Sequence, residues 1–173
     1  METVKDASES AKREGRDGNV IRVEVERAGT PESVSLEFGV DEDVLEAVRR
    51  GLALDADDVL FERDKDDPLD GPVKGRKALR LVVHKAKRIT VQVRYEHLVK
   101  EEEFPPSKTV FKVLQWAVGK KGFNLDPTVA AKANLILPGA QNPLPRDAVI
   151  GSFTQPGERV LVLDLTLQDF TNG

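Results

Sequence analysis

The same order of structural elements occurs twice along this chain, and this repeat constrains the fold more than any single motif. Alternating apolar residues predict an opening strand at Val20–Arg27, and a second opening strand begins at Ile89. Each is followed by a return strand, a helix and two further strands, which gives the order ββαββ twice. A chain of 173 residues is long enough for two small domains. The sequence therefore predicts an α+β protein with two domains in tandem.

In the first half, turn residues separate short apolar segments. A return strand is predicted at Ser33–Phe38, after glycine and proline. Asp41 or Asp43 is the candidate N-cap of a helix that ends at Gly51. The remaining strands are predicted at Val59–Phe61 and Ala78–Val83.

The second half repeats this order more clearly. Its opening strand is predicted to turn through Tyr95–Lys100 and to return over Glu101–Phe104. Ser107 or Thr109 is the candidate N-cap of a helix with one apolar face, which Gly122 is expected to end. Two strands complete this half, at Asn134–Leu137 and Arg159–Leu167.

Composition along the chain predicts the domain boundaries. Residues 1–18 carry almost no large apolar side chains, too few to offset the entropy cost of ordering, and are predicted to be a disordered arm. Residues 19–86 are predicted to form the first domain and residues 87–167 the second, with residues 168–173 as a tail. The link His84–Arg88 is short and basic, so the two lobes are expected to lie close together.

Composition also excludes several classes of protein. Cysteine is absent, which excludes disulfides, thiol catalysis and cysteine zinc sites and fits a reducing cytoplasm. No apolar run is long enough to span a membrane, and Met1 is followed by charged residues where a secretory signal would be apolar. The net charge of −4 argues against nucleic acid as the main partner.

The sequence carries no recognisable catalytic or metal-binding motif. It has no GxSxG, Walker A or HExxH pattern, so the chain is predicted not to be an enzyme and to need no cofactor. The acidic turn after Asp64 has the composition of a calcium loop, but Gly75 occupies the position that requires a bidentate glutamate. The turn is therefore predicted to be solvated. His84 and His97 each lack a second histidine at helical spacing, so no metal site is expected.

Two segments of the second half resemble ubiquitin. The run LILPGAQNPLPRDAVIG, Leu135–Gly151, resembles ubiquitin's third strand, the turn after it and the following loop. TVFKVLQWAVGKKGF, Thr109–Phe123, is similar to ubiquitin's helix and its terminating glycine. The strand VLVLDL lies where the family's last strand precedes the conjugation tail. The resemblance covers roughly residues 88–173, while the first half matches in element order, and it implies two tandem ubiquitin-like β-grasp domains.

Such a pair resembles the interferon-induced two-domain modifier of vertebrates and, in composition, its bacterial counterpart from antiphage operons. The resemblance implies an E1-like activating enzyme, an E2-like conjugating enzyme, a deconjugating metalloprotease and a protein target, such as a phage structural protein. Gly173 is then the conjugating residue, since its carboxylate has no Cβ beside it and can enter a narrow tunnel. The tail has one glycine and no arginine, so Phe170 and Asn172 are the candidates for tail recognition. Ala140 aligns with ubiquitin's main chain-forming lysine, so polymers through that position are not expected.

The resemblance also implies a partner-binding sheet face. If Leu135 points inward, strand alternation turns Ile136 outward. With the valines of the last strand inward, Leu161 and Leu163 also turn outward. The three residues are predicted to form an apolar patch that contacts partners or, alternatively, the other lobe.

Trp116 and Phe111 flank the apolar stripe of the second helix. Trp116 is expected at the seam between the lobes, with a core edge or a partner anchor as alternatives. Two other functions remain open from the sequence: a β-grasp binding or scaffold module that is never conjugated, and a small sulfur carrier.

Overall fold

The structure is a computed structural model that describes residues 20–39, 43–73 and 76–167. The predicted arm, residues 1–18, and the predicted tail, residues 168–173, lie outside the described residues. Each half of the described chain forms one four-stranded mixed sheet with a helix packed on one face. The predicted α+β fold, with two ubiquitin-like β-grasp lobes in tandem, is confirmed.

The first lobe has the strand order β2-β1-β4-β3. β1 is parallel to β4 and antiparallel to β2, so the first and last strands of the lobe lie together at its centre. The Asp43 side chain accepts a hydrogen bond from the backbone N–H of Glu46 at 3.3 Å, which makes Asp43 the N-cap. The elements are β1 (Val20–Arg27), β2 (Thr30–Gly39), α1 (Val44–Gly51), β3 (Val59–Glu62) and β4 (Ala78–His84).

The second lobe repeats this topology with the strand order β6-β5-β8-β7. Thr109 caps its main helix by accepting from the N–H of Lys112 at 3.3 Å. No helix in the described ranges is long and apolar enough to cross a membrane. The elements are β5 (Ile89–Tyr95), β6 (Leu98–Phe104), α2 (Val110–Val118), α3 (Pro127–Ala130), β7 (Asn134–Ile136), a 3-10 helix (Ile150–Phe153) and β8 (Val160–Thr166).

Two predicted boundaries in the second lobe are wrong. The turn between β5 and β6 contains only Glu96 and His97, because Glu96 adopts a left-handed conformation (φ 55°) that reverses the chain tightly. The helix α2 ends at Val118 with Gly119 as its C-cap, before Gly122. Gly122 is instead a site of close backbone approach, since a Cβ there would lie 2.2 Å from a carbonyl oxygen of α2.

The two lobes contact each other through a small apolar cluster. Phe61 and Val82, on the outward face of the first lobe's sheet, are 0% and 1% exposed. They pack with Val149, a fully buried residue of the second lobe that precedes the 3-10 helix. This interlobe cluster covers part of the first lobe's sheet face, and the prediction that the lobes lie close together is confirmed.

The acidic turn after β3, predicted to be solvated, also binds the second lobe. The N–H of Asp64 donates to the carbonyl oxygen of Ser107 at 2.9 Å, and the Ser107 hydroxyl donates to the carbonyl oxygen of Lys65 at 2.5 Å. Lys108 Nζ lies 2.6 Å from Asp66 Oδ1, and this hydrogen bond lowers the pKa of Asp66. The turn therefore connects the lobes beside the interlobe cluster.

His84 forms a second polar connection at the junction of the lobes. Its Nδ1 accepts a hydrogen bond from the N–H of Ala86 at 3.0 Å, so Nε2 carries the proton of the neutral ring. Nε2 donates to Thr154 Oγ1 at 2.8 Å, and that hydroxyl donates to the carbonyl oxygen of Gly151 at 2.8 Å. Burial lowers the pKa of His84 and favours this neutral form.

Trp116 does not lie at the seam between the lobes, as the sequence predicted. Its ring packs edge-on against Phe104 of the same lobe, with ring centroids 5.5 Å apart, and against the second lobe's core. The core-edge alternative is therefore the correct one. Phe111, on the same helix, is 41% exposed.

Candidate functional site

The predicted apolar patch is wrong for Leu161 and Leu163, which lie in the core of the second lobe. They are 5% and 0% exposed. β8 pairs with β5 so that Leu161 lies beside Val91 and Leu163 beside Val93, and both valines are fully buried. Since paired residues on adjacent strands point to the same side of a sheet, the leucines point inward with the valines.

A polar residue in β8 could have given the correct orientation from the sequence. Asp164 alternates in step with Val160 and Val162, so these three residues share one face of the strand. Burying an unpaired carboxylate costs more than exposing two valines. Because side chains alternate along a strand, assigning one residue of β8 to the wrong face assigns every residue of the strand wrongly. The orientations predicted for Leu161 and Leu163 were therefore wrong together.

Ile136 is the member of the predicted patch that does lie on the outward face. Its neighbour Leu135 is 1% exposed and belongs to the core, as predicted. Ile136 pairs with Asp164 of β8 and is partly exposed. The outward orientation predicted for Ile136 is thus confirmed.

The outward face of the second lobe's sheet carries several apolar side chains. Val99 on the edge strand is 57% exposed and Val160 is 46% exposed. Val162 and Ile136 are half-buried beside them. We call this surface the open sheet face, and define it by Arg94, Val99, Ile136, Val160, Val162 and Asp164.

An ion pair crosses the middle of the open sheet face. Arg94 Nε lies 2.6 Å from Asp164 Oδ1, and a terminal nitrogen of the same guanidinium lies 3.1 Å from Oδ2. This two-point contact raises the pKa of Arg94. Through strand pairing, Arg94 also neighbours Val99, and Asp164 neighbours Ile136. A partner that covers the face therefore meets apolar side chains around a charge pair that is already satisfied.

In the first lobe, the equivalent position on the sheet is buried by the second lobe. Phe61 pairs with Val82 at the position where Ile136 pairs with Asp164 in the second lobe. Both first-lobe residues are buried against Val149. The two sheets share one topology, but the second lobe leaves this position accessible and the first does not.

The predicted conjugation residue Gly173 and the predicted tail residues Phe170 and Asn172 lie outside the described residues. The described chain ends at Leu167, one residue after β8, whose last residue Thr166 pairs with Asn134 of β7. Within the described part of the chain, no group of three or more His, Cys, Asp or Glu side chains is arranged to hold a metal ion.

Comparison with known families gives one match for the second lobe. The family model described as BilA ubiquitin-like domain 2 matches residues 90–168. The match spans the second lobe from β5 to just beyond β8. A comparison with curated proteins found no match. The second lobe is therefore similar in sequence to the second ubiquitin-like domain of BilA, and its sheet has the β-grasp topology that this similarity implies.

Proposed function

We propose that this chain is a ubiquitin-like protein modifier that is attached to target proteins through Gly173, in bacterial antiphage defence. The observation that carries the proposal is the match of residues 90–168 to BilA ubiquitin-like domain 2. The tandem β-grasp fold and the open sheet face agree with it. In this role the chain is the group transferred, and the catalytic groups belong to its partner enzymes.

The chemistry needs only a free carboxylate on the chain. A carboxylate oxygen of Gly173 attacks the α-phosphorus of ATP in an E1-like enzyme and releases pyrophosphate. A cysteine thiolate of the enzyme then displaces AMP and forms a thioester, which passes to a cysteine of an E2-like enzyme. A lysine amine of the target displaces that thiolate and forms an amide bond. A metalloprotease that hydrolyses this amide reverses the modification.

The position of the open sheet face supports recognition by such enzymes. β8 contributes Val160 and Val162 to this face and leads directly into the tail. An enzyme that docks on the face therefore lies near the start of the segment that carries Gly173. Because Val149 covers Phe61 and Val82, the corresponding position in the first lobe's sheet, we assign enzyme recognition to the second lobe.

The test is reconstitution with an E1-like enzyme, an E2-like enzyme and ATP. The full chain is expected to form a thioester that is stable on a non-reducing gel and is lost with thiol, and a chain lacking Gly173 is expected to form none. If the two chains behave alike, with no thioester from either, the modifier function is refuted.

The open sheet face is tested separately with Ile136→Ala and Val162→Ala. Both remove half-buried apolar surface from the face, and we expect each to slow thioester formation without unfolding the lobe. Phe111→Ala is the matched control, because it removes an exposed apolar side chain from α2. Equal thioester rates for all three variants would show that the enzymes bind elsewhere.

A binding or scaffold module that is never conjugated is the second candidate. The open sheet face favours it, because exposed apolar surface of this kind marks a partner site whether or not the tail reacts. This function predicts that partner capture survives removal of Gly173 and is lost in Ile136→Ala. Antiphage activity that requires Gly173 would decide for the modifier.

A further inference from the structure

A cleft of about 560 Å³ lies at the junction of the two lobes. The first-lobe wall of the cleft is formed by the residues just before β3 and by the first residue of β3. The link between the lobes, the starts of β5 and β8 and the end of β6 form the rest of the cleft. The lining side chains that matter for its charge are Asp57, Lys85, Lys87, Arg88, Glu103 and Arg159.

Three cations in this cleft make no ion pair with any residue that the structure describes. They are Lys87, Arg88 and Arg159, and all three are exposed. Arg88 does act at longer range, since its charge helps to lower the pKa of Asp66. Unpaired cations that converge on one concave surface raise the local concentration of anions.

The fourth cation, Lys85, is already neutralised. Its Nζ lies 3.0 Å from carboxylate oxygens of Asp55 and Asp57 and 3.1 Å from one of Asp58. These hydrogen bonds raise the pKa of Lys85 and hold it in the charged form. The first-lobe wall therefore carries three carboxylates around one ammonium group. The link and the second-lobe side carry the other three cations, with Glu103 as the carboxylate among their lining residues, so the positive charge of the cleft lies on this side.

We propose that this cleft binds a short acidic segment of a partner protein, with its Asp or Glu side chains on Lys87, Arg88 and Arg159. Two of the three cations are arginines, whose planar guanidinium groups bind carboxylates through two parallel hydrogen bonds. All three cations lie on the link and the second-lobe side of the cleft, and the first lobe forms the opposite wall.

The surroundings of the cleft favour a short peptide over a nucleic acid. Asp57 lines the first-lobe wall, and Glu101 points to the same side of β6 as the lining residue Glu103. A continuous phosphate backbone would have to run on past these carboxylates, whereas a peptide of a few residues can end on the three cations.

The experiment uses the full chain and two fluorescein-labelled peptides of equal length, one alternating Glu and Ser and the other alternating Gln and Ser. We expect the Glu peptide to bind more tightly by fluorescence anisotropy and to weaken as salt is added. Arg88→Gln and Arg159→Gln are each expected to weaken binding by about 1.5-fold to fivefold, the range for an exposed ion pair. Glu103→Gln removes the opposing carboxylate and is expected to tighten binding by about twofold.

Lys120→Gln and Lys121→Gln are the matched controls, because they change the net charge equally at exposed positions after α2. The proposal is overturned if the Glu and Gln peptides bind alike, or if the controls weaken binding as much as Arg159→Gln. It is also overturned if inorganic phosphate or single-stranded DNA displaces the Glu peptide at lower concentration than unlabelled Glu peptide does. The assay needs neither ATP nor enzymes, and a chain lacking Gly173 serves equally well. Its outcome is therefore independent of the proposed conjugation.

Discussion

Replacing Phe61 by alanine tests whether the interlobe cluster holds the two lobes together. Phe61 is fully buried, and it packs with Val82 of its own sheet and Val149 of the second lobe. Truncating a buried phenylalanine costs about 3–5 kcal/mol, from the lost transfer free energy and the cavity left behind. Because the ring lies between the lobes, this loss falls on the first lobe and on its docking to the second.

Urea unfolding with two probes measures this effect. Trp116 is the one tryptophan of the chain and reports on the second lobe, whereas far-UV circular dichroism reports on both. With a slope of about 2 kcal/mol per molar urea, a loss of about 3 kcal/mol lowers the midpoint of the first lobe by about 1.5 M. We expect coincident transitions in the unmodified chain. In Phe61→Ala, the circular dichroism transition should begin well before the fluorescence change.

Phe111→Ala is the matched control for this prediction. It removes the same atoms from a side chain that is 41% exposed, so its free energy of unfolding should change by about 0.5 kcal/mol or less. If Phe61→Ala and Phe111→Ala shift the midpoint equally, Phe61 does not lie buried between the lobes. If both probes of Phe61→Ala still report one transition, the lobes do not depend on this cluster for their coupling.

Three further predictions concern the orientation of β8, a buried histidine and a close backbone contact. Leu163→Ala should lower the free energy of unfolding by about 2–5 kcal/mol because Leu163 is fully buried, whereas Val162→Ala on the open sheet face should lower it far less. Comparing the urea midpoints of the two variants tests the orientation of β8. Burial lowers the pKa of His84 below its ordinary 6.5, so the unfolded chain binds the proton first and stability falls as pH drops below about 6.5. His84→Gln should therefore flatten the pH dependence of the urea midpoint between about pH 7.5 and pH 5.5. Gly122→Ala places a Cβ 2.2 Å from a helix carbonyl oxygen and should lower stability by about 1–3 kcal/mol, measured by thermal unfolding; an unchanged melting temperature would contradict that contact.

Much of the fold was predictable because its signals are local. Alternation predicts β1 and β5. The side chains that cap the two main helices, Asp43 and Thr109, are each one of the two candidates that the sequence offered. A cap or a turn depends on a few adjacent residues, so the printed sequence contains all the information it needs. The helix end was less predictable, because Gly119 and Gly122 both satisfy the same signal.

The candidate site was harder to predict. Valine and leucine alternate in β8, so both faces of the isolated strand are apolar, and only its pairing with β5 shows that Leu161 and Leu163 point inward. The role of His84 was equally hidden, because its partner Thr154 is far away in the sequence.

The sequence by itself determined that this chain builds the same ββαββ unit twice, since the spacing of apolar, capping and turn residues is a property of neighbours along the chain. Only the tertiary structure decided which sheet face remains accessible. Phe61 and Ile136 occupy equivalent positions in the two sheets. Val149 buries Phe61, whereas Ile136 is partly exposed. That difference arises from contacts between residues distant in sequence, which form only when the two lobes pack together.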